Sequence, residues 1–133
     1  MKKNTVTVLM SAVALLSLAL LSTGAELTTQ NKQFLAAYDT VHQALVADDL
    51  VNAKKAATNL GISAAGIATS KTLEEARLEF SKVSVEAEKL AAGQSGYYIM
   101  HCPMKKTDWV QTSTKVENPY GGKEMLRCGE VKK

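Results

Sequence analysis

An α+β fold is expected. An N-terminal antiparallel bundle of three or four helices covers residues 26–96, and a small region of short strands and turns over 97–133 carries both cysteines. Three observations lead there. Apolar residues recur at steps of three and four through the first part, the mark of amphipathic helices. That part is rich in alanine and has no proline, whereas both prolines fall after residue 96. Aromatic and β-branched runs separated by glycine and proline turns fill the remainder, the pattern of short strands.

The chain opens with "MKKNTVTVLMSAVALLSLALLSTGAELTT". Lys2 and Lys3 supply a positive start, the run from Val6 to Leu21 is almost unbroken apolar sequence, and Thr23, Gly24 and Ala25 are small. This order predicts a signal peptide over residues 1–25, cut near Ala25. The run falls short of the roughly 20 residues a spanning helix wants. No cysteine near the cut offers a lipid attachment point, and no later segment is long and apolar enough to span a bilayer. The mature chain is therefore expected in the periplasm, or otherwise exported.

Phe34, Tyr38, Val41 and Leu45 form the stripe of a first helix. Asp48 or Asp49 can cap the next helix, whose stripe is Leu50, Ala53, Ala57 and Leu60 and whose C-terminal residue is Gly61. Residues 62–70 suit a short helix or a loop. Thr72 and Glu75 have capping-box spacing. After them Leu73, Ala76, Phe80, Val83, Ala87 and Leu90 mark a long helix that Gly93 ends. Short links between amphipathic helices favour antiparallel neighbours.

"YYIM" and "WVQTSTKV" read as strands, and "NPYGG", residues 118–122, reads as a turn. About 37 residues make too small a core to stand alone without docking on the helices, a disulfide or a metal. The two parts are thus expected to pack as one domain, with Trp109 and Tyr120 as aromatic core of the small region.

Charge narrows the function. Without Lys2 and Lys3 the 16 basic residues become 14 against 13 acidic, a net of +1. Phosphate binding needs a concentrated basic face, so nucleic acid is not expected as a partner. No Ser/His/Asp set, phosphate-binding glycine loop or two-carboxylate site stands out, and no enzyme is expected. His42, beside the first stripe, reads as a surface histidine, with a remote ligand as the alternative. Asp48 with Asp49, and Glu74 with Glu75, read as cap and first-turn charges.

The chemistry concentrates in "HCPM" and "EMLRC". Cys102 and Met104 are two apart, which puts both on one side of an extended segment. Met125 and Cys128 are three apart, a spacing that shares a face within one helical turn. Together they offer four sulfurs, and thiolate with thioether favours Cu(I) or Ag(I) over harder ions. His101 is a further candidate ligand, although a regular strand turns it away from Cys102. Two cysteines with His101 also suit zinc, a case that leaves the methionines idle. The competing reading is structural: a Cys102–Cys128 disulfide closes a loop of about 27 residues, worth about 3.6 kcal/mol in chain entropy, in an exported chain where disulfides persist. A redox couple is the third reading, without a Cys-x-x-Cys motif to support it.

"HCPM", "DWVQ" and "NPYGGKEMLRCGE" together resemble the signature of an exported bacterial domain of unknown function, family 3347 (DUF3347). "AAYDTVHQALVADDLVNAKKAATNL" and "LEEARLEFSKVS" resemble its helical part. The matching C-terminal positions are Cys102, Pro103, Met104, Trp109, Asn118, Pro119, Tyr120, Gly122, Met125, Leu126, Cys128 and Gly129. Gly121 departs from the pattern, since the family usually has an aromatic residue there. Relatives of that domain occur alone or attached to periplasmic adaptor subunits of copper and silver efflux pumps. The resemblance therefore implies a heavy-metal-binding protein, a Cu(I) or Ag(I) buffer or carrier, with an efflux adaptor as partner. The alternative is a disulfide-stabilised interaction module without its own metal.

Overall fold

The computed structural model describes residues 25–132, so the expected signal segment up to residue 24 lies outside the described residues. The described chain is mixed α+β. Four helices, α1 (Thr29–Val46), α2 (Leu50–Ala57), α3 (Ala65–Thr69) and α4 (Leu73–Ala91), precede three strands, β1 (Tyr98–Cys102), β2 (Thr107–Gln111) and β3 (Glu130–Val131). Among the described residues, no helix is long and apolar enough to cross a membrane.

Helix starts follow local side-chain chemistry. The Thr28 hydroxyl accepts from Asn31 N–H at the start of α1, and Asp49 accepts from Asn52 N–H at the start of α2. At α4 the Thr72 hydroxyl accepts from Glu75 N–H, while the Glu75 carboxylate accepts from Lys71 N–H. The box thus closes one residue earlier than its usual form, where Glu bonds the cap residue itself. Asp48 does something else: it adopts a left-handed backbone (φ 59°) and pairs with Arg77 at 2.5 Å. Gly61, the expected helix terminus, has φ 71° inside a 3-10 stretch, Thr58–Ala64, that links α2 to α3. The chain bends at this glycine and then continues as helix.

The buried face of α1 is Leu35, Tyr38, Val41, His42 and Leu45, with Phe34 half-buried. It is therefore rotated slightly from the expected stripe. His42 corrects the sequence reading: it is fully buried, not a surface residue. Its Nε2–H donates to the Glu117 carbonyl at 2.7 Å, and Gln43 Nε2 donates to Nδ1 at 3.2 Å. A ring so satisfied can sit on the packed stripe at low cost. The buried face of α4 is Ala76, Phe80, Val83, Ser84, Ala87 and Ala91. Tyr38 stacks on Phe80 with ring centroids 4.6 Å apart.

A chain of hydroxyl hydrogen bonds ties the helices to the sheet. Val110 N–H donates to Tyr38 Oη (3.2 Å), Tyr38 bonds Ser84 Oγ (2.7 Å), Ser84 bonds Tyr120 Oη (2.9 Å), and Tyr120 donates to the Asp108 carbonyl (2.8 Å). Burial pushes the ionisation of both tyrosines upward, so they stay neutral hydroxyls. Ser84→Ala removes the shared partner of two buried hydroxyls and is expected to cost about 1–3 kcal/mol. Urea unfolding checks this, and a change within experimental error would show that the chain carries no net stability.

The sheet has the order β2–β1–β3 and both pairings are antiparallel. The expected first strand runs on through His101 and Cys102. The second stops at Gln111, and residues 112–118 leave the sheet. Gln111 is buried there: its Oε1 accepts from Trp109 Nε1–H and Glu117 N–H, and its Nε2 donates to the Lys115 carbonyl. One amide thus holds the departing loop. β3 is only two residues long and was not expected from the sequence. Met100, Cys102 and Trp109 share a sheet face by register, and Gly129 of the returning segment lies against the Trp109 ring, with Val116 beside Gly129. Trp109 meets Tyr120 edge-on at 6.1 Å, so the expected aromatic core is present.

Candidate functional site

Cys102 is the last residue of β1. Residues 103–106 form the turn that joins β1 to β2, so the chain reverses directly after the thiol. The extended geometry expected for Cys102 and Met104 does not occur. Met104 stands in the turn with 72% of its surface exposed. The turn has a different consequence: it aims a backbone donor at Cys102. Lys105 N–H donates to Cys102 Sγ at 3.4 Å. Lys106 absorbs the reversal with φ 52°.

Cys128 arrives from the other side. A short 3-10 turn, Lys123–Met125, begins after Gly122, whose φ of 67° favours glycine. Cys128 N–H donates to the Met125 carbonyl at 2.8 Å, so the two residues do lie on one helical turn. Met125 is half-buried against the core, and its side chain covers Gly121. A Cβ at residue 121 would stand 2.3 Å from Met125 Cβ. The space that a side chain at residue 121 would need is taken by Met125.

The two thiols meet. Both cysteines are free, and Cys102 Sγ lies 3.6 Å from Cys128 Sγ, a hydrogen-bonding contact. The sulfurs differ in character. Burial disfavours the Cys102 thiolate, but hydrogen bonds from Lys105 N–H, the Cys128 thiol, Asn118 and Met104 N–H outweigh it and lower its pKa below the ordinary thiol value. Cys128 is raised, first by its hydrogen bond to Cys102, then by burial and by the neighbouring charge. Cys102 is therefore the more acidic thiol of the pair and Cys128 the less acidic. The expected titration of the reduced protein has two steps, one below and one above the ordinary thiol pKa, belonging to the pair. Thiolate absorbance near 240 nm reads both, and Cys128→Ser should leave a single step. One unresolved step at the ordinary thiol value would contradict the asymmetry.

Asn118 organises this region. It is fully buried, and its Nδ2 donates to the Cys128 carbonyl at 2.6 Å while its Oδ1 accepts from Tyr120 N–H at 2.8 Å. Its own N–H donates to the Leu126 carbonyl at 2.9 Å. The sequence showed it only as a turn residue. Its one visible signal is its place in the "NPYGG" stretch, and nothing there points to a thiol. Arg77 was also missed. From α4 it donates to the Pro119 and Leu45 carbonyls, pinning the turn to the end of α1.

His101 does not join the thiols. Alternate residues of a strand project to opposite faces, and its Nδ1 lies 2.6 Å from Asp108 Oδ1 across the strand pair. Among the described residues, no group of three or more His, Cys, Asp and Glu side chains is set to hold an ion. At the dithiol, any donors beyond the cysteines would have to come from the methionines, solvent or an incoming molecule. Compared with protein-family models, curated proteins and solved structures, the chain finds no match.

Proposed function

We propose that the chain is a periplasmic carrier or buffer for a soft monovalent metal ion, Cu(I) or Ag(I), with Cys102 and Cys128 as its anchoring donors. The observation that carries this reading is the pair of free thiols 3.6 Å apart, one of them taking a backbone N–H from Lys105 that favours its ionisation. With metal–sulfur bonds of about 2.3 Å, that spacing subtends about 100° at a shared ion. A linear two-coordinate ion at the same bond length needs sulfurs about 4.6 Å apart. The spacing thus suits three- or four-coordination, with further donors beside the two thiols. Met104, exposed in the turn beside Cys102, and Met125, one helical turn before Cys128, are the donors assigned here. Thioether and thiolate are both soft, which favours Cu(I) and Ag(I) over zinc.

The ion is cargo. The residues capture it and release it by ligand exchange, without covalent chemistry. The helices, read as an antiparallel bundle, are the scaffold and offer the face on which an efflux adaptor would dock. The apolar leader and the resemblance to domain family 3347 support the exported setting and the link to metal efflux. Met104→Leu with Met125→Leu roughly conserves volume and should change stability by less than about 1.5 kcal/mol. The same pair should lower Cu(I) affinity at least about tenfold, or about 1.4 kcal/mol of lost donor bonding. Competition against a chromophoric Cu(I) chelator measures it, and unchanged affinity would remove the methionines from the site.

The thiol contact also favours a second reading. Oxidation would join the same two sulfurs and give a disulfide-stabilised interaction module without its own metal. The mass of the protein purified from periplasm without reductant separates the two. A mass two hydrogens light that takes up no Cu(I) supports the module, and a free dithiol that gains one ion supports the carrier.

A further inference from the structure

His101, set apart from the thiols, sits in a second constellation. On one sheet face the register lines up Asp108 of β2, His101 of β1 and Glu130 of β3. Side chains directly opposite on adjacent strands have Cβ atoms about 5 Å apart. Asp108 is fixed from several directions: its Oδ1 takes the His101 Nδ1–H at 2.6 Å, its Oδ2 takes Lys132 Nζ, and Lys132 lies 3.8 Å from Glu88 of α4. A carboxylate held in this way can only accept, so it sets the imidazole orientation and commits Nδ1 as the donor. Nε2 is then the nitrogen through which the neutral ring would bind an ion. It makes no hydrogen bond among the described residues, and His101 lines an open cleft of about 380 Å³ with Glu130, Val131 and Lys132.

We propose that this cleft is a second cation site, distinct from the dithiol, which takes a borderline divalent ion, Cu²⁺ or Zn²⁺, on His101 Nε2 and the Glu130 carboxylate. An imidazole whose other nitrogen donates to a carboxylate is the usual arrangement of a metal-bound histidine, because the carboxylate orients the ring and strengthens it as a donor. Nitrogen and carboxylate donors select a different class of ion from the thiols, and Cu²⁺ should bind most tightly. Lys132 neutralises Asp108 and leaves Glu130 as the anionic ligand. Two protein donors leave the other positions to water, so the site exchanges readily and its affinity is micromolar rather than tighter. The inference does not rest on the carrier reading, because the donors are separate.

The test uses the chain with Cys102→Ser and Cys128→Ser, titrated with Cu²⁺ alone and read by electron paramagnetic resonance. The expected result is one equivalent bound with the signature of one imidazole nitrogen. His101→Gln should abolish it, and Asp108→Asn should weaken it by about tenfold or more. A companion titration of the unmodified, reduced chain with Zn²⁺ follows the imidazole nitrogens of His101 by nuclear magnetic resonance, so the result does not depend on the double serine variant folding. A shift at Nε2 with Nδ1 still protonated supports the site. No saturable binding below about 1 mM, or binding that survives His101→Gln, overturns it.

Discussion

Replacing Cys102 by serine is expected to abolish tight Cu(I) binding. The loss should exceed the 10–100-fold drop typical of removing an outer-shell partner, at least about a hundredfold. Two properties of the site make this the most damaging single change to binding. Cys102 is the sulfur whose ionisation the turn favours, through Lys105 N–H at 3.4 Å. Serine keeps the volume nearly unchanged but puts a hard, un-ionised oxygen where a soft anion is needed. The fold should tolerate the change at about 1–2 kcal/mol, because the hydroxyl inherits donors already aimed at the position. Cys128→Ser should cost less affinity, since that thiol is the weaker acid of the pair and is only partly buried. Chelator competition ranks the two variants. Equal affinities for Cys102→Ser and the unmodified chain would place any bound copper elsewhere.

Asn118→Ala is expected to be the most destabilising polar substitution in the small region, costing about 2–4 kcal/mol. The side chain is fully buried and bonds both the Cys128 carbonyl and Tyr120 N–H. Truncation leaves both groups without their partner and opens a cavity beside Cys128. The change has a second readout. Asn118 is among the groups that lower the Cys102 pKa, so its loss should move the first thiol step upward. A merely structural asparagine would affect stability and leave that step in place. Denaturant unfolding and the thiolate absorbance titration on the same variant separate these roles. A stability change within about 0.5 kcal/mol, the range of ordinary surface substitutions, would contradict the assignment of Asn118 as the organiser of the turn.

What was legible in the sequence follows from the range of the interactions involved. Helix starts are local: Thr28, Asp49 and Thr72 act on donors three residues away, and spacing revealed the capping box at Thr72 and offered Asp49 beside Asp48, though not Thr28. Helix faces are nearly local, because a period of 3.6 residues decides which side chains line up. The α4 stripe accordingly matched at Ala76, Phe80, Val83 and Ala87. The α1 stripe missed Leu35 and His42, since only the neighbouring loop supplies the Glu117 carbonyl that lets an imidazole be buried. Donor types were also legible, because two cysteines and two nearby methionines can be read without coordinates.

Tertiary structure alone decided which donors meet. The 26-residue separation of the thiols closes to 3.6 Å because β1 ends at Cys102 and the chain returns through Gln111, Asn118 and Gly122 to a turn ending at Cys128. Gln111 and Asn118 hold the loop by side-chain hydrogen bonds to backbone carbonyls and Gly122 by its positive φ, and no periodicity encodes any of them. The same is true of His101, whose sequence position beside Cys102 suggested one site and whose strand register gave it another, opposite Asp108 and Glu130. Composition determined what chemistry the chain can offer. The alternation of side chains across a strand, and the hydrogen bonds that hold a two-residue third strand in place, decided where each donor is offered.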